Sequence, residues 1–471
     1  YGGRNGNNMN SPWDRILKDN KMLEVVTYKL KKQHYDNITH SQWLYRYKIA
    51  GIETLIYRLF FKLSSFLPKK IYNKKVYIYR ENELVIETAA NLILRGISIE
   101  KLKPKGKSKL EKSQAFFLIK KSISPIIKKR IENYVIPDLV DRCEKIFFEN
   151  LKEQINLFYE YRSIWRNSIE HIKAENGVLL TNHPSSLHGF SITSLCKENK
   201  VPVISAQHGI TPEISKYHDE VEVAIDSNTS DCTLVYNRQS ANTCDSSHFS
   251  RGESFVSGIS LRHLRMSSVK MPLDKDYPIV YISTNIYKGN FGFFIGSLTD
   301  YDRSIKEKDL IEKVFAKLPC NIRYKTYPEE NKRYPDIDPV FDVINCFNNI
   351  ELFTDKIDMR YLIAKHRILI TSRATSTLGW AIFSKKPVIF INWKENNPLT
   401  EDAEEFFDRG LFLFNDNDKD FHKELLKFLL KPISEIERLW DIKEKYRKEM
   451  IMEFFSAYNS KSGERASKMI I

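Results

Sequence analysis

Between Arg367 and Trp393 the chain reads RILITSRATSTLGWAIFSKKPVIFINW. Five of the seven residues from position 371 to 377 carry a hydroxyl: Thr371, Ser372, Thr375, Ser376 and Thr377, with Arg373 among them. Hydroxyls and a guanidinium set this closely suit a phosphate. The flanking residues say how they would be held. Ile368 to Ile370 is a short, wholly apolar run, as a strand buried on both faces requires. Leu378 to Phe383 is an apolar helix stopped by Lys385, Lys386 and Pro387, and Val388 to Ile391 is the next buried strand. This grammar puts the hydroxyls at the carboxyl end of a parallel strand, where open α/β sheets bind ligands. The free N–H groups of the following helix N-terminus favour an anion there. The plain alternative is that Thr375 or Ser376 only caps the helix.

Two more strand ends in this half carry phosphate-compatible groups. Thr284 and Asn285, with Lys288, follow the run PIVYIS, and Arg323 and Lys325 lead into Tyr327 and Glu329. Lys325 or Arg373 would neutralise leaving-group charge without a metal. No DxD stands in a suitable loop, so neither metal nor cofactor is expected. The absence of GxGxxG and of a Walker loop argues against NAD and ATP, and the absence of GxSxG against a serine hydrolase.

The other half offers proton-transfer groups. His183, His188 and His208 stand at or near strand ends, and an imidazole with an ordinary pKa near 6.5 is suited to deprotonating a hydroxyl. His208 is the preferred base, because Gln207 and Gly209 make a tight polar strand end around it. His183 and Asp226 are the other catalytic candidates, with Glu213 as a further carboxylate. Gln207, Gly209 and His188 are expected on the acceptor side. Any one of these histidines could instead be structural, bonded to loop backbone.

The elements that must position these groups follow from the chain order. Residues 1–135 read as a mostly helical N-terminal region, with 70–86 as a short hairpin or extended segment (VYIYR, then ELVIE). From 177 onward strands alternate with helices, which means a parallel sheet. Residues 136–265 form one Rossmann-like domain, 275–430 a second, and 431–471 are C-terminal helices anchored by Trp440, Phe454 and Phe455. The class is α/β: two Rossmann-like domains with helices before and after them.

The chain has 471 residues, with 42% hydrophobic and 12% aromatic content, enough for two or three folded domains. Its formal charge is +14. From Lys101 to Arg130 eleven Lys or Arg face one acid, Glu111, a net of +10 that leaves +4 for all the rest. A basic segment therefore needs explaining rather than a basic protein. Lysines interleaved with Phe116, Phe117, Leu118, Ile119, Ile126 and Ile127 suit an anionic membrane surface first. A solvated loop comes second, and nucleic acid, for which no motif stands nearby, third. The six cysteines show no CxxC spacing, which argues against zinc and suits a reducing compartment. No apolar run is long enough to span a membrane. No signal peptide is visible, although the chain begins at Tyr1 rather than Met.

Two facing Rossmann-like domains are the layout of GT-B glycosyltransferases. Ser11-Pro12-Trp13-Asp14-Arg15, Ser41 to Tyr47 (SQWLYRY), Gln207-His208-Gly209, Lys386-Pro387-Val388-Ile389-Phe390 and the stretch 404–414 resemble a family of transferases encoded in bacterial O-antigen and capsule loci. The resemblance implies a cytoplasmic enzyme, peripheral at the inner membrane face. It would use a nucleotide-sugar donor and a glycan or lipid-linked glycan acceptor, and no nucleic acid. Members usually carry more sequence before the PWD segment. The chain is also distantly similar to bacterial sialyl- and Kdo-transferases that use CMP-sugars. Their His-Pro motif has Tyr327-Pro328 here, and their Ser/Thr pair would be Ser376-Thr377 or Thr375-Ser376. This favours CMP slightly and leaves UDP and GDP open. The rivals are an epimerase or polyol-phosphate transferase on the same fold, and a non-catalytic scaffold of a polysaccharide assembly complex.

Overall fold

The computed structural model describes residues 48–60, 75–108, 115–133, 135–209, 213–216, 223, 226–268, 271–283, 300–326, 339–355, 357–395 and 398–471. The first sheet contains β1 (Lys75–Ile78), β2 (Ser98–Lys101), β3 (Val178–Asn182), β4 (Val203–Ala206), β5 (Cys232–Val235) and β6 (Glu253–Val256). Its order is β2-β1-β3-β4-β5-β6, and every pair is parallel. The second contains β7 (Ile279–Ile282), β8 (Ile322–Lys325), β9 (Ile350–Phe353), β10 (Ile368–Thr371), β11 (Val388–Asn392) and β12 (Phe412–Asn415). Its order, β12-β11-β10-β7-β8-β9, is again parallel throughout. Counted within the domain this is 3-2-1-4-5-6, the Rossmann order. The central strands VLLTN, VISA, IVYI, ILIT and VIFIN are buried at every residue. That is why they read as continuous apolar runs rather than alternating ones.

Each sheet reverses direction at one point, between β1 and β3 in the first and between β7 and β10 in the second. The carboxyl ends at these points are where a doubly wound sheet leaves a crevice. In the second domain Thr371, the last residue of β10, pairs with Ile282, the last of β7, and with Phe390 of β11, which runs two residues further, so its hydroxyl loop starts at the carboxyl edge of the sheet.

The expected hairpin at 70–86 is corrected. Residues 75–78 form β1, parallel to its neighbours, and the ELVIE run opens the helix Glu83–Leu94. Asn82 caps that helix by accepting from the Val85 N–H at 2.9 Å. The helix is buried nearly all round, at Leu84, Val85, Ile86, Ala89, Ala90 and Leu92. An apolar run buried on all sides carries no period that separates helix from strand. Since β1 and β2 precede position 136, the first sheet also begins earlier in the chain than the sequence boundary placed it.

The C-terminal helices cross back over the molecule. Trp440, Phe454 and Phe455 are buried anchors. The last helix, Ser462–Ile470, packs on Glu83–Leu94 of the first domain. A Cβ at Gly463 would lie 2.7 Å from the Glu87 backbone, so only glycine permits this approach. Ser462 Oγ donates to Glu87 Oε2 at 3.0 Å. Among the described residues no helix is long and apolar enough to cross a membrane.

Candidate active site in the cleft between the domains

The residue after β3 is His183, held at φ +42°. A histidine in the left-handed region is strained, and such strain collects at functional sites. Two contacts hold it: Arg80 Nη1 donates to the His183 carbonyl at 2.9 Å, and the His183 Nδ1 lies 2.9 Å from Asp226 Oδ1. The other Asp226 oxygen accepts the backbone N–H of His208 at 2.9 Å. One carboxylate thus fixes a histidine side chain after β3 and a histidine backbone after β4. The two rings lie 4.5 Å apart between centroids. With Nδ1–H donated to Asp226, His183 keeps Nε2 as a proton acceptor. Burial pushes His208 below the ordinary imidazole range; Asp226 pulls it up, and His183 pushes it further down. At neutral pH it is therefore a neutral base.

Hydrogen bonds tie down the segment that carries His208. Gln207 Nε2 donates to the Gly209 carbonyl (2.8 Å) and to Ser240 Oγ (2.9 Å), and its Oε1 accepts from the Tyr236 N–H at 2.9 Å. Asn82 Nδ2 and the Tyr236 hydroxyl both donate to the Gln207 carbonyl. Gln207 is thus a buried support for the loop. Just downstream, Ser215 bridges to Leu399, and Thr400 N donates to the Ile214 carbonyl at 2.8 Å, tying this loop to the second domain.

Across the cleft stands the helix Ser376–Phe383. Thr375 occupies its N-cap position, but its side chain makes no capping hydrogen bond. Ser376 is exposed at the helix tip and meets Gly209, where a Cβ would sit 3.1 Å from the serine Cβ. A cavity of about 210 Å³ lies here. From the first domain it is lined by Glu81, Asn82, Glu83, Asn182, His208, Gly209 and Tyr236, and from beyond it by His263, Arg360, Ser376 and Trp380. It is smaller than the roughly 300–1,000 Å³ of drug-sized sites.

Its far wall is a cross-domain ion pair. Arg360 donates to Glu83 and to Asp358, and Arg262 lies 3.6 Å from Glu83. Burial alone would raise the Glu83 carboxyl, but Arg360 and Arg262 pull it down to about 2. The Arg360 guanidinium stacks over Trp380 at 4.8 Å, and Trp380 lies flat on His263, centroids 3.5 Å apart. Burial pushes His263 down to about 3, so it is a neutral ring in a stack.

The remaining sequence candidates divide. Thr371 and Ser372 are buried, with Ser372 Oγ 3.2 Å from the Tyr281 hydroxyl; Arg373, Thr375 and Thr377 are half-buried around the helix tip. Arg323 is bound inside the second domain by Asp274 and Glu351. The Lys325 ammonium is buried and donates to the carbonyls of Thr326 and Asp355. His188 is stacked on Tyr161 and accepts from Trp165 Nε1 at 3.0 Å, with burial lowering its basicity. Glu213 is buried, bonds Asn237 and is pushed up to about 7 by burial. Thr284, Asn285, Tyr327 and Glu329 lie outside the described residues, as do the PWD and SQWLYRY segments. Sequence reasoning missed Glu81, Asn82, Glu83, Asn182, Tyr236, His263, Arg360 and Trp380. The polar Asn82–Glu83 pair before an apolar run was an available N-cap signal; the Glu83–Arg360 pair, 277 residues apart, gave none. Among the described residues no group of three or more His, Cys, Asp and Glu is placed to hold a metal ion.

Two Rossmann-like domains facing each other across this cleft make the chain an α/β protein of the GT-B type. No family model and no curated protein matches its sequence. Similar solved structures include a UDP-GlcNAc 2-epimerase from Neisseria meningitidis bound to UDP-GlcNAc: 14% identity, TM-score 0.45, covering 84% of this chain and 98% of that one. HepE from Anabaena in complex with UDP-glucose matches at 10% identity and TM-score 0.45, over 84% of this chain and 99% of that one. A UDP-glucosyltransferase from Polygonum tinctorium matches at 9% identity and TM-score 0.42, over 86% and 98%.

Proposed function

We propose that this chain is a metal-independent glycosyltransferase. It moves a sugar from a nucleotide-sugar donor to a cell-surface polysaccharide or lipid-linked acceptor of the O-antigen or capsule kind, at the inner face of the cytoplasmic membrane. The observation that carries this reading is one cavity lined from both sides, by His208 of the first domain and Ser376 of the second. In the proposed reaction the acceptor oxygen bonds to the anomeric carbon as the bond from that carbon to the phosphate oxygen breaks. His208 takes the acceptor proton, with His183 beside it and Asp226 holding both. The departing phosphate is received by the N–H groups and hydroxyls of 371–377. CMP is slightly favoured as the nucleotide, on the Ser/Thr pair within 375–377.

The test is thermal stability with CMP, UDP, GDP and ADP, since a ligand at about 100 times its dissociation constant adds roughly 2.7 kcal/mol. A selective shift names the donor nucleotide. Replacing His208 by Ala is expected to lower turnover by about 10²–10⁴ with the nucleotide shift retained; near-normal turnover removes it as the base. A second reading, the non-catalytic scaffold, is favoured by one observation: Arg323 and Lys325 are both engaged inside the second domain. It predicts no shift with any nucleotide in a folded sample.

A further inference from the structure

The helix Val140–Ala174 has 35 residues, a length of about 52 Å at 1.5 Å per residue. Only its later part belongs to a domain, where Trp165, Ile169 and Ile172 enter the core beneath β3 and β4. Its first part is partnered by the helix Ala115–Glu132, running antiparallel to it. The rungs are Lys152 over Phe116, Lys120 over Phe148 at 5.0 Å, Ser124 to Glu144, and Lys128 to Asp141 at 3.1 Å. The two helices form an arm.

The arm also exposes apolar side chains on its outer face. Phe117, Leu118, Ile126 and Ile136 are each more than three-fifths exposed. Leu118, Ile119, Ser122 and Ile126 follow one another at i, i+1, i+4 and i+8, a single stripe on the side away from the partner helix, and Lys129 continues it. Folded chains rarely leave such apolar groups together in water without a use for them. Charge selects the occupant. The helix Ala115–Glu132 carries five cations (Lys120, Lys121, Lys128, Lys129, Arg130) against one acid, Glu132, a net of +4. The lysine run 103–107 is laid along the same long helix: Gly106 N donates to the Ile164 carbonyl and Lys105 N to Ser168 Oγ, both at 3.0 Å. A second copy would set +4 against +4. Nucleic acid would meet the lysines but leave the apolar stripe in water.

We infer that the arm is a docking surface for an anionic lipid bilayer. Leu118, Ile119 and Ile126 enter the boundary between headgroups and acyl chains, while Lys121, Lys129 and the 103–107 lysines engage lipid phosphates. This surface is separate from the cleft and stands whether or not the chain transfers a sugar.

The experiment is flotation of the whole chain with vesicles of phosphatidylcholine alone and of phosphatidylcholine with roughly one-third phosphatidylglycerol, in moderate salt. Binding is expected to the anionic vesicles only. Each lysine at such a surface is worth roughly fivefold, so K121Q/K129Q is expected to bind about 25-fold more weakly. L118S/I126S is expected to bind about tenfold more weakly or worse. All four residues are exposed, so unchanged melting of both variants shows the fold intact. Equal binding to both vesicles, binding to neither, or unaltered binding by both variants overturns the inference. So does a dimer in sedimentation that L118S/I126S abolishes, or binding to RNA in place of vesicles. Nucleotide shifts on the same variants report on the cleft separately.

Discussion

Glu83 is the carboxylate on which the two domains meet, and Glu83→Gln is the most informative single change. The side chain keeps its shape and one acceptor oxygen, but loses the charge that Arg360 and Arg262 face. Its folded pKa is about 2 against an ordinary 4.5, a difference worth about 3 kcal/mol. The sign follows from the direction. A carboxyl depressed by folding contributes fully above its unfolded value and loses that contribution as pH falls through the folded one. The wild-type chain should therefore be about 3 kcal/mol more stable than E83Q at pH 7, and less than half of that at pH 3. Urea unfolding followed by tryptophan emission measures this. Trp380 is a local reporter, in contact with the Arg360 guanidinium and stacked on the His263 ring, and W380F identifies its share of the signal. A wild-type-to-E83Q difference equal at both pH values would refute the reasoning. It would mean that the pair is too well solvated to shift the carboxyl.

Glu87, a helical turn further on, behaves oppositely: burial pushes it up to about 8, with Ser462 pulling the other way. The folded state holds a proton that the unfolded chain releases, so this group removes stability as pH rises from about 4.5 to 8. Glu87→Gln should flatten that slope, gaining on the order of a few kcal/mol at pH 8 relative to pH 4.5 in urea midpoints. An unchanged slope would show that Glu87 is charged in the fold. Asp226→Asn swaps a carboxylate for an amide that cannot accept from both His183 and the His208 N–H without turning its NH₂ on one of them. On the proposed reaction turnover should fall by about 10³–10⁴, with the nucleotide-induced melting shift retained. Loss of that shift as well would mean that Asp226 holds the loop rather than the proton acceptors.

What the sequence by itself determined is the α/β class, the run of buried strands and the residues at their ends. Short apolar runs such as ILIT and VIFIN, bounded by turn residues and alternating with longer helical stretches, read as strands buried on both faces. The QHG and TSRATST stretches could accordingly be placed at carboxyl ends before any coordinates. Only the tertiary structure decided which of these groups share a cavity. Ser376 reaches it and Arg323 does not, because a strand end fixes where a side chain starts but not what it finds there. Arg323 finds Asp274 and Glu351. The helix Glu83–Leu94 was equally illegible, since a segment buried on every side loses the period that names it. Glu83 meets Arg360, and Ser462 meets Glu87, across hundreds of residues of chain. Such pairs are set by how two sheets and a returning helix pack, and local sequence carries no record of that distance.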